Sequence, residues 1–203
     1  MTFVIESQER SFLTQRRSGA AENRRVVAPP REKSYDRASM SIANSFDDFL
    51  AGFRETIVTA TARLKAIPDD QSRRQNSADD WAPIEIIGHL IDSAANNHQR
   101  FVRAQFTDDL VFSGYEQNQW VSSQKYRNES WPDVVQLWSA YNLHLAHAAS
   151  VIPADVLTKP RTPHTLDQIA FNLVDKNEPA TLEYLIRDYV DHLRHHLDQI
   201  FSK

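Results

Sequence analysis

The chain contains no cysteine. That excludes disulfides, a thiol nucleophile of its own, and zinc or iron–sulfur sites ligated by cysteine. Glycine is scarce, at four in 203 residues, and no glycine-rich phosphate loop is present. The β-branched residues form no alternating runs, so little in the chain reads as strand. No apolar run approaches the ~18–20 residues that span a bilayer. Positive charge is not in excess either: 23 Lys and Arg stand against 27 Asp and Glu, for a net charge of −4. Nucleic acid binding therefore has no electrostatic support.

What the chain does contain is 41% hydrophobic and 10% aromatic residues, which is material for one globular core. Residues 1–39 differ from the rest, with eight Arg and Lys against five Asp and Glu. Their apolar residues are few and unperiodic, and Ala28-Pro29-Pro30 breaks any helix. This segment is expected to be a disordered tail, with Met40 an alternative start of translation. Arg16-Arg17 has no apolar stretch after it, which makes a poor export signal. The expected location is the cytoplasm.

From residue 40 onward the helical period takes over. Ser45 can cap a first helix, with Asp47 and Asp48 in its first turn. Phe46, Phe49, Leu50, Phe53, Ile57, Ala60 and Leu64 then recur at three- and four-residue steps. A second helix starts around Trp81-Ala82-Pro83, with Ile84, Ile87, Leu90, Ile91, Ala94, Phe101 and Val102 as its apolar face. Beside that face runs a polar stripe of Glu85, His89, Asp92, Asn96 and Arg100, which can face solvent or line a cavity. Ser130 and Pro132 open a third helix, with Val134, Leu137, Trp138, Tyr141, Leu145, Ala148 and Ile152 inward. Thr181 opens the fourth, packed by Leu182, Leu185, Ile186, Tyr189, Leu193, Leu197 and Ile200. Two long links separate these helices. One spans about 107–130, where Glu116 to Lys125 can form a short helix; the other, rich in proline, runs to about 180. The pattern predicts an all-α four-helix bundle over residues 40–203.

Three of the eight histidines lie in the closing stretch Asp188-Tyr189-Val190-Asp191-His192-Leu193-Arg194-His195-His196. His192 and His196 are four apart, so on a helix they stack on one face, the face of Leu185 and Tyr189 that packs inward. Two imidazoles on one line can share a metal ion, or they can be core histidines satisfied by hydrogen bonds. A catalytic site needs a third ligand. His89 on the polar stripe is one candidate; His144 and His147 on the third helix are others, with His98 and His164 less well placed. Leu193 follows His192 where a zinc-protease helix would carry Glu, so no general base of that kind is present.

Trp81-Ala82-Pro83-Ile84-Glu85-Ile86-Ile87-Gly88-His89-Leu90-Ile91-Asp92, taken with His192-Leu193-Arg194-His195-His196-Leu197-Asp198-Gln199-Ile200, resembles the DinB-like superfamily, which includes YfiT-type metal-dependent hydrolases. The resemblance covers about residues 41–203. It implies a four-helix bundle with a three-histidine site for one divalent metal ion, Zn, Ni or Fe. By position the ligands become His89, His192 and His196, and His195 points away. His89 is near the start of its helix and the other pair near the end of theirs, so the second and fourth helices must run antiparallel. One link then crosses the bundle, and the resemblance favours the second-to-third link, giving up-down-down-up. Asp188, one turn before His192, can orient its ring, as can Asp92 beside His89. Asn96 and Arg100 can meet an anionic substrate, and Trp120 and Tyr126 can roof a pocket. Characterised relatives imply an S-transferase in which the metal activates a low-molecular-weight thiol. A hydrolase using activated water and a non-catalytic metal-binding stress protein are the alternatives. Pairing into a homodimer is a further expectation from the resemblance.

Overall fold

In the computed structural model the described residues are 37–202, apart from 76, 78 and 79, with side chains described from 46 onward. In chain order the helices are α1 (Arg37–Lys65), α2 (Asp69–Ser72), α3 (Pro83–Arg103), α4 (Gln117–Gln124), α5 (Trp131–Ser150), α6 (Ala154–Leu157), α7 (Leu166–Ile169) and α8 (Leu182–Phe201), with one 3₁₀ turn at Tyr126–Asn128. Among the described residues there is no strand, only two isolated bridges, Leu110 with His164 and Arg161 with Ala180. The four long helices, α1, α3, α5 and α8, make the bundle. None is long and apolar enough to cross a membrane.

Side-chain contacts fix the direction of each helix. The Trp131 indole at the start of α5 donates to the carbonyls of Leu64 and Ile67 at the end of α1, at 3.2 and 3.1 Å, so these two are antiparallel. Tyr126, just before α5, packs against Gly88 near the start of α3, and His98 further along meets Tyr141 and His144, so α3 and α5 are parallel. Trp81 meets His196 while Phe101 meets Tyr189, which makes α3 and α8 antiparallel. Phe53 lies against Tyr189 and Arg63 over Phe201, which makes α1 and α8 parallel. The order is therefore up-down-down-up, with the second and fourth long helices antiparallel. The crossover is the 104–130 link. It leaves α3 where Arg100 donates to the Ser113 carbonyl, passes His89 at Tyr115, and returns to the start of α3 where Arg127 pairs with Glu85 at 2.8 Å.

The core is the apolar stripe of each long helix. Phe53, Ile57, Leu64, Ile84, Ile87, Leu90, Phe101, Trp138, Leu145, Leu182 and Leu185 are essentially inaccessible, and each such side chain contributes about 1.5–3 kcal/mol over its exposed state. The start of α3 is fixed by Glu85, whose carboxylate accepts the Ala82 N–H at 2.9 Å, with Pro83 in the first turn.

Three sequence expectations need correcting. The first helix begins at Arg37, not Ser45. Nothing from Ala38 to Asn44 is Pro or Gly, so the helix runs back past Ser45, and Asp47 and Asp48 sit in its body rather than at its positive end. Residues 1–36 of the expected tail lie outside the described residues. Leu137 and Val102 are exposed at 51% and 38%. On α5 the buried face rotates toward Val135, Asn142, Ala146 and Ala149, because Asn142 accepts the Tyr189 hydroxyl inside the bundle and turns that line inward.

Candidate metal centre

His89 sits in the second turn of α3; His192 and His196 are one turn apart on α8. The antiparallel crossing brings one ring nitrogen from each within 4.8 Å of the others. Ring centroids are separated by 5.2 Å (His89–His192), 4.8 Å (His89–His196) and 4.6 Å (His192–His196). The Nε2 atoms of His89 and His192 face each other at 3.2 Å. Burial, with the mutual repulsion of neighbouring rings, holds both His89 and His192 neutral, down to about 3. Burial lowers His196 as well. Its Nδ1 lies 2.9 Å from the Gln199 Oε1, to which an Nδ1–H donates, leaving Nε2 free as a lone-pair donor.

The donor set suits a divalent ion. Nitrogens bound at ~2.0–2.1 Å in a tetrahedral site stand roughly 3.3 Å apart, close to the His89–His192 separation. Neutral imidazoles are the form that ligates. Trp81 shields the cluster at 5.0 Å from the His89 ring, and Phe171 covers the His192 ring at 5.6 Å.

The other histidines are outside this group, although the His195 ring lies 5.3 Å from that of His196. His195 is exposed, accepts from the Gln199 amide at 3.1 Å and stacks beside Phe171. His164 is a satisfied core residue: its Nε2 donates to the Glu178 carbonyl at 2.7 Å and its Nδ1 accepts the Leu166 N–H. His98, His144 and His147 meet on the opposite flank, between α3 and α5.

The neighbours expected to support the site are distributed differently. Asp188 does not reach the His192 ring; its two oxygens accept the backbone N–H groups of Phe171 and Asn172, at 2.9 and 2.6 Å. It acts on the site by pinning the loop that carries Phe171. Asp92 turns away from His89 and accepts the Tyr126 hydroxyl at 2.8 Å and the Gln124 amide at 2.7 Å. Burial raises both carboxyls above their ordinary range. Asn96 donates to the Asp92 carbonyl and borders an outer cleft instead of the histidines. Trp120 is partly exposed, with its ring tilted against Tyr115 at 5.0 Å, while Tyr126 is buried under the link against Gly88. Arg100 does reach the cavity beside the site.

That cavity, of about 240 Å³, opens from His89 and His192 and is lined along α3 by Ser93, Asn97 and Arg100, with Tyr115, Phe171 and Asp188 on the facing walls. Burial pushes the Tyr115 phenol up to about 12. Ser93, Asn97, Tyr115 and Phe171 escaped the sequence reading. Ser93 and Asn97 continue the line of His89 at four-residue steps, whereas the expected stripe takes one three-residue step to Asp92 and continues from there to Asn96. Tyr115 and Phe171 lie on links, where no periodicity marks them.

An up-down-down-up helical bundle with three inward histidines from its second and fourth helices defines the class. The family model of the DinB superfamily matches residues 53–200, and the chain belongs to that superfamily. A solved structure to which it is similar is that of YfiT from Bacillus subtilis, described as "a probable metal-dependent hydrolase with an unusual four-helix bundle topology". The likeness has a TM-score of 0.63 at 17% identity, over 86% of this chain and 90% of that one, and it supports the fold. No curated protein matches the chain by sequence.

Proposed function

We propose that the chain is a divalent-metal-dependent cytoplasmic enzyme in which His89, His192 and His196 hold the ion and a low-molecular-weight thiol is the substrate for S-transfer. The observation that supports this most is the convergence of three neutral ring nitrogens with no carboxylate among them. A divalent ion there keeps its full charge and would lower the pKa of an incoming thiol enough to favour the thiolate. Of the nearby carboxylates, Asp188 holds two amides and Glu85 holds the start of α3 and Arg127, while Asp92, whose Oδ1 accepts from Tyr126 and Gln124 and whose buried Oδ2 has no partner, does not line the cavity. The one acid lining the cavity, Asp188, has both oxygens taken by backbone N–H groups, and a thiol, far more acidic than water, needs no such base. Trp81 and Phe171 lie against the His89 and His192 rings, and the cavity gives room for a small molecule.

Hydrolysis is the second reading, favoured by the description of YfiT. One set of measurements separates them. Elemental analysis of the purified chain comes first; absence of metal, with none taken up on titration, ends both. The metal-loaded chain is then offered a panel of thiols with a chlorinated electrophile, and separately ester and amide substrates without thiol. Thioether formation that requires both metal and thiol is the expected result. Turnover only in the thiol-free arm assigns the hydrolase, and metal binding with no turnover in either arm leaves a metal-binding stress protein.

A further inference from the structure

Among the described residues Arg100 is a buried cation without an anion. It is 6% exposed, and no salt bridge among the described residues includes it. Its fork donates to the Ser113 carbonyl at 3.0 Å and, at a long 3.4 Å, to the Asn97 side-chain oxygen. Both acceptors are neutral, and donors of the fork remain unused. Burial lowers its affinity for the proton, yet a guanidinium stays charged at neutral pH. A buried charge left unpaired is costly, and one that lines a cavity can be matched by a bound anion. Arg161, equally buried, also donates only to neutral carbonyls, those of Ala104 and Val156, and leaves its Nε and Nη1 without partners, but it borders none of the described cavities. Arg100 lines the cavity that opens from His89 and His192.

We propose that this cavity takes a small molecule bearing a carboxylate, held by Arg100 at the end remote from the histidines. The two ends are three turns of α3 apart, roughly 16 Å between Cα atoms along the axis, and the long Arg100 side chain shortens the gap. Asn97 fixes the fork from α3, since its amide donates to the Ser93 carbonyl at 3.0 Å while its oxygen faces Nη1. Planar carboxylate matches a planar fork. One guanidinium balances one carboxylate, whereas a phosphate monoester would leave surplus negative charge in a buried site. Asp188 on the facing wall is the one acid lining the cavity, and it would repel an anion placed toward α8, so the carboxylate belongs on the α3 side. The group at the histidine end rests on the proposed thiol chemistry; the Arg100 end does not.

The test uses the full chain, metal-free and zinc-loaded, with calorimetry on each. The metal-free protein is titrated with butyrate, butanol and ethyl phosphate; the zinc-loaded protein with 3-mercaptopropionate and 3-mercaptopropanol. Wild type is expected to prefer each carboxylate over its alcohol by at least about tenfold. Arg100→Gln should erase that preference and Arg100→Lys should retain part of it, with circular dichroism confirming the fold of each. Arg103→Gln, altering the outer cleft that Arg100 also borders, should leave it intact. A purely structural Arg100 would change melting without changing the preference. No preference in wild type, a preference surviving Arg100→Gln, or tighter binding of ethyl phosphate overturns the proposal. Thiols that fail to bind zinc-loaded protein, while butyrate still discriminates, overturn the thiol reading alone.

Discussion

At the level of single residues, the pair His192 and His195 gives the sharpest contrast, because both pack against Phe171 yet only His192 joins the three-nitrogen group. His192 is in the cluster and His195 is on the exposed side with Gln199. Replacing His192 by Ala is expected to weaken metal binding by more than the roughly 10–100-fold that loss of an outer-shell partner costs, and His195→Ala to leave it unchanged; metal titration by calorimetry reads both. Equal losses would mean that the ring nitrogens do not converge as the helix crossing places them. Gly88 is the residue that lets the crossover return. A Cβ at Gly88 would lie within the Tyr126 ring. Gly88→Ala gains about 1 kcal/mol of helix propensity but forces the ring off Asp92 and overpacks the site by about 1–3 kcal/mol. With the Tyr126–Asp92 hydrogen bond lost as well, at about 0.5–1.5 kcal/mol, a net loss of about 0.5–3.5 kcal/mol in denaturant unfolding is expected, and an unchanged or raised midpoint would show that Tyr126 moves freely.

Between helices and links, legibility in the sequence divides along a physical line. All of the packing positions read from the period of α8 are buried, because that helix packs on two neighbours by one continuous stripe. The inward line of His192 and His196 followed from the same period. Of the face expected for α5, Val134, Trp138, Leu145 and Ile152 are buried and Leu137 is exposed, and the buried face also takes in a polar residue, Asn142, that an apolar period does not mark. The two links were unreadable for a different reason: what places them is long-range. Tyr126 is held by Asp92, and the loop at Phe171 by Asp188, contacts separated by 34 and 17 residues. No local pattern encodes either. The Asp188 contact can be tested directly. Asp188→Asn keeps one acceptor but turns an amide donor toward one of the two N–H groups, leaving a donor unsatisfied at a cost of about 1–3 kcal/mol. Hydrogen exchange at Phe171 and Asn172 should accelerate by about tenfold or more, with α8 itself unaffected. Unchanged protection would mean that the loop is held by something other than this carboxylate.

For the molecule as a whole, the three buried histidines couple folding to both metal and proton. An ion that binds only the folded chain stabilises it by about 2.7 kcal/mol at a hundred times its dissociation constant, which for a chain of this length raises the melting temperature by roughly 5–10 °C. Chelator should reverse the rise. The metal-free protein has its own pH dependence. His89 and His192 titrate at about 3 when folded, against 6.5 for an ordinary imidazole. Below 6.5 the unfolded chain binds protons that the folded rings refuse, so their contribution is complete above 6.5 and is lost as pH falls toward 3. Asp92 and Asp188 act in the opposite sense: raised above 3.8, they add stability that is present at low pH and disappears as pH rises through their folded values. The histidine effect therefore shows most cleanly in the upper part of the window. Metal-free protein should melt progressively lower from about pH 7 to about pH 5.5, and the His89→Gln, His192→Gln double variant should show a flatter profile. The stabilisation by added metal should shrink over the same range, because protons compete for the same nitrogens. A wild-type profile as flat as that of the double variant would mean that the rings are solvated and protonated in the folded chain, and a bundle that solvates them could not hold the ion by neutral imidazoles.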